Sequence, residues 1–137
     1  MEMSKTILTV GVFDLLHFGH VELFRRAKAL GKRLIVAVQD DNEVKICKPD
    51  TELTYDLAHR MYMVDAIRYV DETVVYGYVD DIVKEINFDV LVVGPDQNHA
   101  RFRDAFKWCE EHGKEVIVLP RTDGISSSML RSGKSCN

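Results

Sequence analysis

Five short apolar runs punctuate the chain, and successive runs are separated by stretches long enough to form a helix; no other feature constrains the fold as strongly. Thr6 to Val12 (TILTVGV), Arg33 to Val38 (RLIVAV), Thr73 to Val75, Val90 to Val93 and Glu115 to Leu119 read as strands, the third the weakest. Between them, His20 to Leu30, Tyr55 to Tyr69, Val79 to Ile86 and Arg101 to Glu111 read as helices. Val21, Phe24 and Ala27 repeat at helical spacing in the first of these, and Leu57, Met61 and Val64 in the second. Gly31 and Gly113 stand where helix C-caps are expected, and a short last helix follows Ser126. Strands joined by helices pair in parallel through right-handed crossovers, because a hairpin needs only a short turn. The expectation is an α/β fold in a single domain over residues 1–137: one doubly wound, Rossmann-like, parallel five-stranded sheet with helices on both faces.

The chain has 137 residues, which suits one domain. A chain of that size buries about two thirds of its unfolded surface, so its core needs neither disulfide nor structural metal. No apolar run approaches the ~18 residues of a membrane span, and no membrane insertion is expected. The Met1 to Lys5 start runs into the first strand without a secretory pattern, and Cys47, Cys109 and Cys136 are odd in number with no CxxC pair. A cytoplasmic location is the resulting expectation. Eighteen basic against 22 acidic residues give a net charge of -4, so nucleic acid is not an expected partner. Any anion must be held by a local cluster.

In doubly wound sheets, ligands bind beyond the carboxyl ends of the strands. The segments Gly11 to His20, Gln39 to Leu53, Gly94 to Ala100 and Pro120 to Ser128 are therefore expected to border one crevice. The first brings His17 and His20, three apart, to a helix start, where both imidazoles face one side beside unpaired backbone N–H groups that attract anions. Gly19 between them lets a phosphate approach the backbone. A metal pair is the alternative, but the usual companion Cys or His ligands are missing from the pattern. Neither the dinucleotide GxGxxG sequence nor a Walker sequence occurs. The last segment, Arg121 to Ser128, offers hydroxyls and N–H groups at another helix start, with the planar fork of Arg121 beside them. A serine-capped helix is the plainer reading of that segment. Lys45 and Lys48 sit on the loop with Pro49; solvated lysines are the default there, but this loop lies over the crevice, where an ammonium meets phosphoryl charge.

Three stretches, GVFDLLHFGH at Gly11 to His20, IRYVDE at Ile67 to Glu72 and RTDGISSS at Arg121 to Ser128, make the chain resemble the cytidylyltransferase family of the HxGH nucleotidylyltransferases. Their order and spacing, and the chain's length, are most similar to the small bacterial glycerol-3-phosphate cytidylyltransferases. The resemblance implies transfer of CMP from CTP to a small phosphorylated alcohol or polyol, sn-glycerol 3-phosphate first, giving CDP-glycerol and pyrophosphate. It implies Mg2+ carried by the CTP phosphates with no direct side-chain ligand, no covalent enzyme intermediate, and a homodimer.

Residue by residue, the resemblance implies that His17 and His20 stabilise charge on the α-phosphoryl group. Arg121, Thr122, Ser126 and Ser127 would hold the β- and γ-phosphates, with Gly124 and Ile125 in the same nucleotide-binding motif. Val12, Phe13, Asp14, Gly19 and Asp96 complete the implied nucleotide site, Asp14 either orienting the turn or approaching the metal indirectly. Lys48, seven residues after Asp41, matches the catalytic lysine of choline-phosphate relatives. Arg60 is implied to reach the nucleotide or the acceptor and Arg68 the acceptor or the dimer interface, while Lys45 is a candidate acceptor contact from its place on the loop with Lys48. Two departures stand out: Val12 replaces the threonine usual in the glycerol type, and Gly94-Pro95-Asp96 replaces Gly-Asp-Asp. This loop and the helix after it, with Arg101 and Arg103, could shape a different acceptor pocket. Other acceptors (phosphocholine, phosphoethanolamine, a pentitol or sugar phosphate), adenylyl transfer, and a non-catalytic nucleotide-binding module remain the alternatives.

Overall fold

The computed structural model describes residues 4–120. The Arg121 to Ser128 motif, the short last helix and Cys136 lie outside the described residues. Ten elements run in the order β1 (Thr6–Gly11), α1 (Phe18–Lys28), β2 (Arg33–Gln39), α2 (Asp41–Cys47), α3 (Leu57–Asp65), β3 (Glu72–Tyr76), α4 (Val79–Glu85), β4 (Val90–Val93), α5 (Ala100–Glu111) and β5 (Glu115–Val118). The five strands form one sheet in the order β3-β2-β1-β4-β5, every pairing parallel. The chain winds outward from β1 through β2 to β3, then returns to lay β4 against the other side of β1. That reversal opens a crevice at the carboxyl ends of β1 and β4.

Alternation along each strand feeds two cores, one on each face. Ile7, Leu34 and Val36 pack with Phe24 and Ala27 of α1 and Val64 of α3. Leu8, Val10 and Leu91 pack on the opposite face with Ile82 of α4 and with Phe102 and Ala105 of α5. A strand buried on both faces reads as a continuous apolar run, which is why RLIVAV and VLVV were recognisable. Each fully buried aliphatic or aromatic side chain contributes about 1.5 to 3 kcal/mol, so the doubly wound sheet rests on these two clusters.

Two local readings need correction. The segment carrying Lys45 and Lys48 is not a loop throughout: Asp41–Cys47 form α2, Lys45 lies within it, and Lys48 is its C-cap. Asp40 caps the start, its carboxylate accepting from the Asn42 N–H at 3.4 Å, and Asp41 and Glu43 suit the positive end of the helix. Gly31 is not the C-cap of α1, which ends at Lys28 with Ala29 as cap in the right-handed region. Glycine stands at position 31 because the chain passes close to the start of β1: a Cβ there would lie 2.4 Å from the Lys5 carbonyl oxygen. Gly113, by contrast, follows the C-cap of α5 with φ 71°, the left-handed conformation expected of it.

Candidate active site

The turn from β1 into α1 is bent through two non-glycine residues in the left-handed region, Phe13 at φ 55° and Leu15 at φ 51°. Such residues persist only where their surroundings over-determine them, and here the surroundings are explicit. The Phe13 ring is buried, edge-on to Phe24 at 5.1 Å and to His20 at 5.4 Å. Asp14, 1% exposed, accepts the Thr54 N–H at 2.7 Å and the Tyr55 N–H at 3.0 Å. Arg60, fully buried, donates to the Val12 carbonyl at 2.8 Å, to the Tyr55 carbonyl at 3.2 Å, and to the Asp41 carboxylate. The stretch before α3 therefore clamps the turn from outside through Asp14 and Arg60.

α1 starts at Phe18, so His17 is its N-cap and His20 occupies the third helical position. The two form a capping box of imidazoles. The Gly19 N–H donates to His17 Nδ1 at 3.0 Å, and the His17 N–H donates to His20 Nδ1 at 3.2 Å. These bonds narrow the expectation of unpaired N–H groups at the helix start, since the histidines themselves take those of His17 and Gly19. A ring nitrogen that accepts carries no proton, so each neutral imidazole bears its proton on Nε2. The rings stack at 3.9 Å between centroids, which places both side chains on one side of the helix start. Burial holds the His17 pKa below its ordinary value, favouring the neutral tautomer that the cap requires.

A cavity of about 130 Å3 opens beside this turn, lined by Gly11 and Val12 at the end of β1, Gln39 at the end of β2, Cys47 and Lys48 at the end of α2, and Asp96 and Gln97 after β4. Gln97 ties the last of these segments across the strand reversal, donating to the Val10 carbonyl at 2.8 Å and accepting the Gly94 N–H at 2.9 Å. The cavity also takes in Tyr76, Tyr78, His99, Arg101 and Phe102. Three of the four segments named from sequence thus meet here, and the fourth lies outside the described residues with Arg121, Thr122, Gly124, Ile125, Ser126 and Ser127.

The remaining expected residues divide cleanly. Val12, Lys48 and Asp96 line the cavity, while Phe13, Asp14 and Gly19 support the turn and the helix start. Lys45 and Arg68 are exposed and do not line it. Arg60 is corrected from a ligand contact to a buried clamp, because its side chain has no exposure and its donors serve Val12, Tyr55 and Asp41. Sequence reasoning missed Tyr76 and Tyr78, although the rule that named the other segments applies equally to the exit of β3. Among the described residues, no three His, Cys, Asp or Glu side chains converge on one point. No described helix is long and apolar enough to cross a membrane.

Comparison with known proteins adds three findings. A cytidylyltransferase-like family model matches residues 8–133. The glycerol-3-phosphate cytidylyltransferase of Staphylococcus aureus (strain NCTC 8325 / PS 47) is 38% identical over 132 residues, covering 93% of this chain and 92% of that protein; the one from Bacillus subtilis (strain 168) is 36% identical over 130 residues, covering 93% and 95%. A crystal structure of the lipopolysaccharide core biosynthesis protein from Thermoplasma volcanium GSS1 superposes with a TM-score of 0.70 at 23% identity, over 86% of this chain and 96% of that one, a likeness of fold.

Proposed function

Because this chain belongs to the cytidylyltransferase-like family and is a nucleotidyltransferase, we propose that it transfers the cytidylyl group of CTP to sn-glycerol 3-phosphate, yielding CDP-glycerol and pyrophosphate. The observation that carries the reaction is the histidine pair at the start of α1, each ring with Nδ1 turned to the backbone and its proton on Nε2. The choice of acceptor is supported by the likeness to the two glycerol-3-phosphate cytidylyltransferases over more than nine tenths of each chain.

A phosphate oxygen of the acceptor attacks the α-phosphorus of CTP, the bond from that phosphorus to the bridging oxygen breaks, and pyrophosphate leaves with the bond electrons. In such a displacement the protein contributes positioning and electrostatic stabilisation, and no side chain acts as nucleophile. His17 and His20 donate Nε2–H to α-phosphoryl oxygens as charge builds there. Lys48, at the end of α2 on the cavity wall, neutralises charge on the α-phosphate or the acceptor. Arg121, Thr122, Ser126 and Ser127 hold the β- and γ-phosphates, and a Mg2+ carried in with CTP would lower the charge of those phosphates.

The same reading includes a cytoplasmic enzyme acting as a homodimer, the latter supported by Tyr62 and Met63 on α3, 76% and 40% exposed; light scattering of the eluted protein tests it. The test of function is pyrophosphate release with Mg2+, comparing CTP and ATP against glycerol 3-phosphate, phosphocholine, phosphoethanolamine and a pentitol phosphate, with His20→Ala as control. Release with CTP and glycerol 3-phosphate that the substitution abolishes is the expected result. Release with ATP alone, or with another acceptor alone, overturns the assignment.

A further inference from the structure

Tyr78, His99 and Arg101 line the cavity beside Gly11, Val12 and Lys48, yet the transfer chemistry assigns them nothing. The Arg101 guanidinium carbon sits over one face of the Tyr78 ring, 3.6 Å from the ring centroid. Asp80 holds it there, taking Nη1 on both carboxylate oxygens at 3.1 and 3.3 Å. A pair this exposed adds little to stability, so what it does is fix position. Nε and Nη2 of Arg101 make no hydrogen bond among the described residues and are left to a ligand.

Lys48 and Arg101 are the fixed cations among the described lining residues; Asp96 is a lining carboxylate, and Asp80 balances Arg101 from behind. The His99 pKa is lowered first by burial and then by the charges of Lys48, Arg101 and Arg103, against the opposing charge of Asp80. The cavity, about 130 Å3, is also smaller than the roughly 300 to 1,000 Å3 of pockets that enclose drug-sized ligands. It suits the tail of a small molecule.

We propose that Arg101, seated on Tyr78 and tethered by Asp80, is the acceptor-specificity residue: it hydrogen-bonds a short hydroxylated, uncharged tail and denies the pocket to a quaternary ammonium. This rests on the acceptor reading above. A trimethylammonium group binds best over an aromatic face, and the Tyr78 face is already covered by a guanidinium. The guanidinium thus takes the place where a cationic tail would stack, and the unpaired N–H groups it turns to the cavity offer such a tail donors and no acceptor. Hydroxyls of a polyol, by contrast, accept from Nε and Nη2 without adding charge.

The test compares wild type, Arg101→Ala and Arg101→Lys in CMP transfer to glycerol 3-phosphate and to phosphocholine, with KM for CTP and thermal melts measured alongside. Arg101→Ala is expected to raise KM for glycerol 3-phosphate about tenfold or more, the scale of a lost charged hydrogen bond, and to leave KM for CTP within about twofold. By uncovering Tyr78 it raises the kcat/KM ratio of phosphocholine to glycerol 3-phosphate at least about tenfold. Arg101→Lys keeps the charge without the planar fork, so KM for glycerol 3-phosphate rises while phosphocholine stays excluded. A ratio unmoved in Arg101→Ala, or a change in the CTP KM alone, overturns the assignment of Arg101 and leaves the acceptor reading standing. A wild type that prefers phosphocholine, or turns over neither acceptor, removes both. If the alanine variant does not fold, an unchanged glycerol 3-phosphate KM in Arg101→Lys overturns the assignment.

Discussion

Arg60 holds the carbonyl oxygen of Val12 at 2.8 Å from forty-eight residues away, with its side chain wholly out of solvent. One guanidinium thereby joins the start of α3 to the turn that positions the histidines, and its contact with Asp41 ties in α2 as well. Three segments that meet at the site share a single buried charge.

Replacing Arg60 by Met takes the guanidinium from the Val12 and Tyr55 carbonyls and from the Asp41 carboxylate, which keeps only the Leu57 N–H at 3.3 Å among its described donors. Asp41 is one-third exposed, so the cost falls on the acceptors left unsatisfied, about 1 to 3 kcal/mol for a buried one, and is read from urea unfolding midpoints. Arg60→Lys recovers little, because an ammonium cannot reproduce a planar fork shared among three acceptors. A Met variant within about 1 kcal/mol of wild type would show that the turn holds its shape without the clamp.

His17 does two jobs that substitution can separate. Asparagine is a favoured N-cap, so His17→Asn should retain stability within about 0.5 kcal/mol while pyrophosphate release collapses for want of the Nε2–H donor. His17→Ala loses the cap as well, about 1 kcal/mol in the same unfolding assay. Equal stability of the two variants would deny the capping role, and an active asparagine variant would deny the catalytic one.

Acidification acts on the same residue. Burial lowers the pKa of His17 in the folded chain, so below the ordinary value of 6.5 the unfolded chain binds more protons at this site than the folded one. The stability tied to neutral His17 is therefore complete above pH 6.5 and is lost as pH falls through the lower folded value. Protonation of Nδ1 also removes the acceptor for the Gly19 N–H. Unfolding free energy measured against pH should fall more steeply on the acid side in wild type than in His17→Asn; parallel curves would refute this.

At Gly31 the expectation is steric. Gly31→Ala places a Cβ 2.4 Å from the Lys5 carbonyl oxygen, which the backbone must relieve by moving β1 away from the end of α1. Overpacking of this kind costs about 1 to 3 kcal/mol, visible as a lowered melting temperature. A neutral effect would mean that residues 5 and 31 separate freely.

The strands and long helices were legible because burial on both faces leaves continuous apolar runs such as VLVV, and one-sided burial leaves helical spacing such as Leu57, Met61 and Val64. α2 escaped because it buries Val44 alone, so its sequence carries no periodic signal. The cue lay elsewhere, in an aspartate cap at position 40 with Glu43 three residues on. The histidine pair was legible from a single turn of chain, since its geometry is local. Arg60 was not, because its partners at Val12 and Asp41 lie forty-eight and nineteen residues away and its burial depends on where α3 docks. The Arg101, Tyr78 and Asp80 group escaped for the same reason, its members coming from the starts of two different helices.

β1 is made early, yet one of its two neighbours, β4, arrives late: the Thr9 hydroxyl finds the Val92 carbonyl eighty-three residues further along. On a ribosome, the first half of the chain can pair β1 with β2 and β3 but must carry an unprotected apolar edge until β4 has left the exit tunnel. The crevice cannot take a nucleotide before then, because its second wall has not been synthesised. Ligand cannot speed the early stages of folding, and a nascent chain stalled before residue 90 is a species for chaperones rather than a small version of the enzyme.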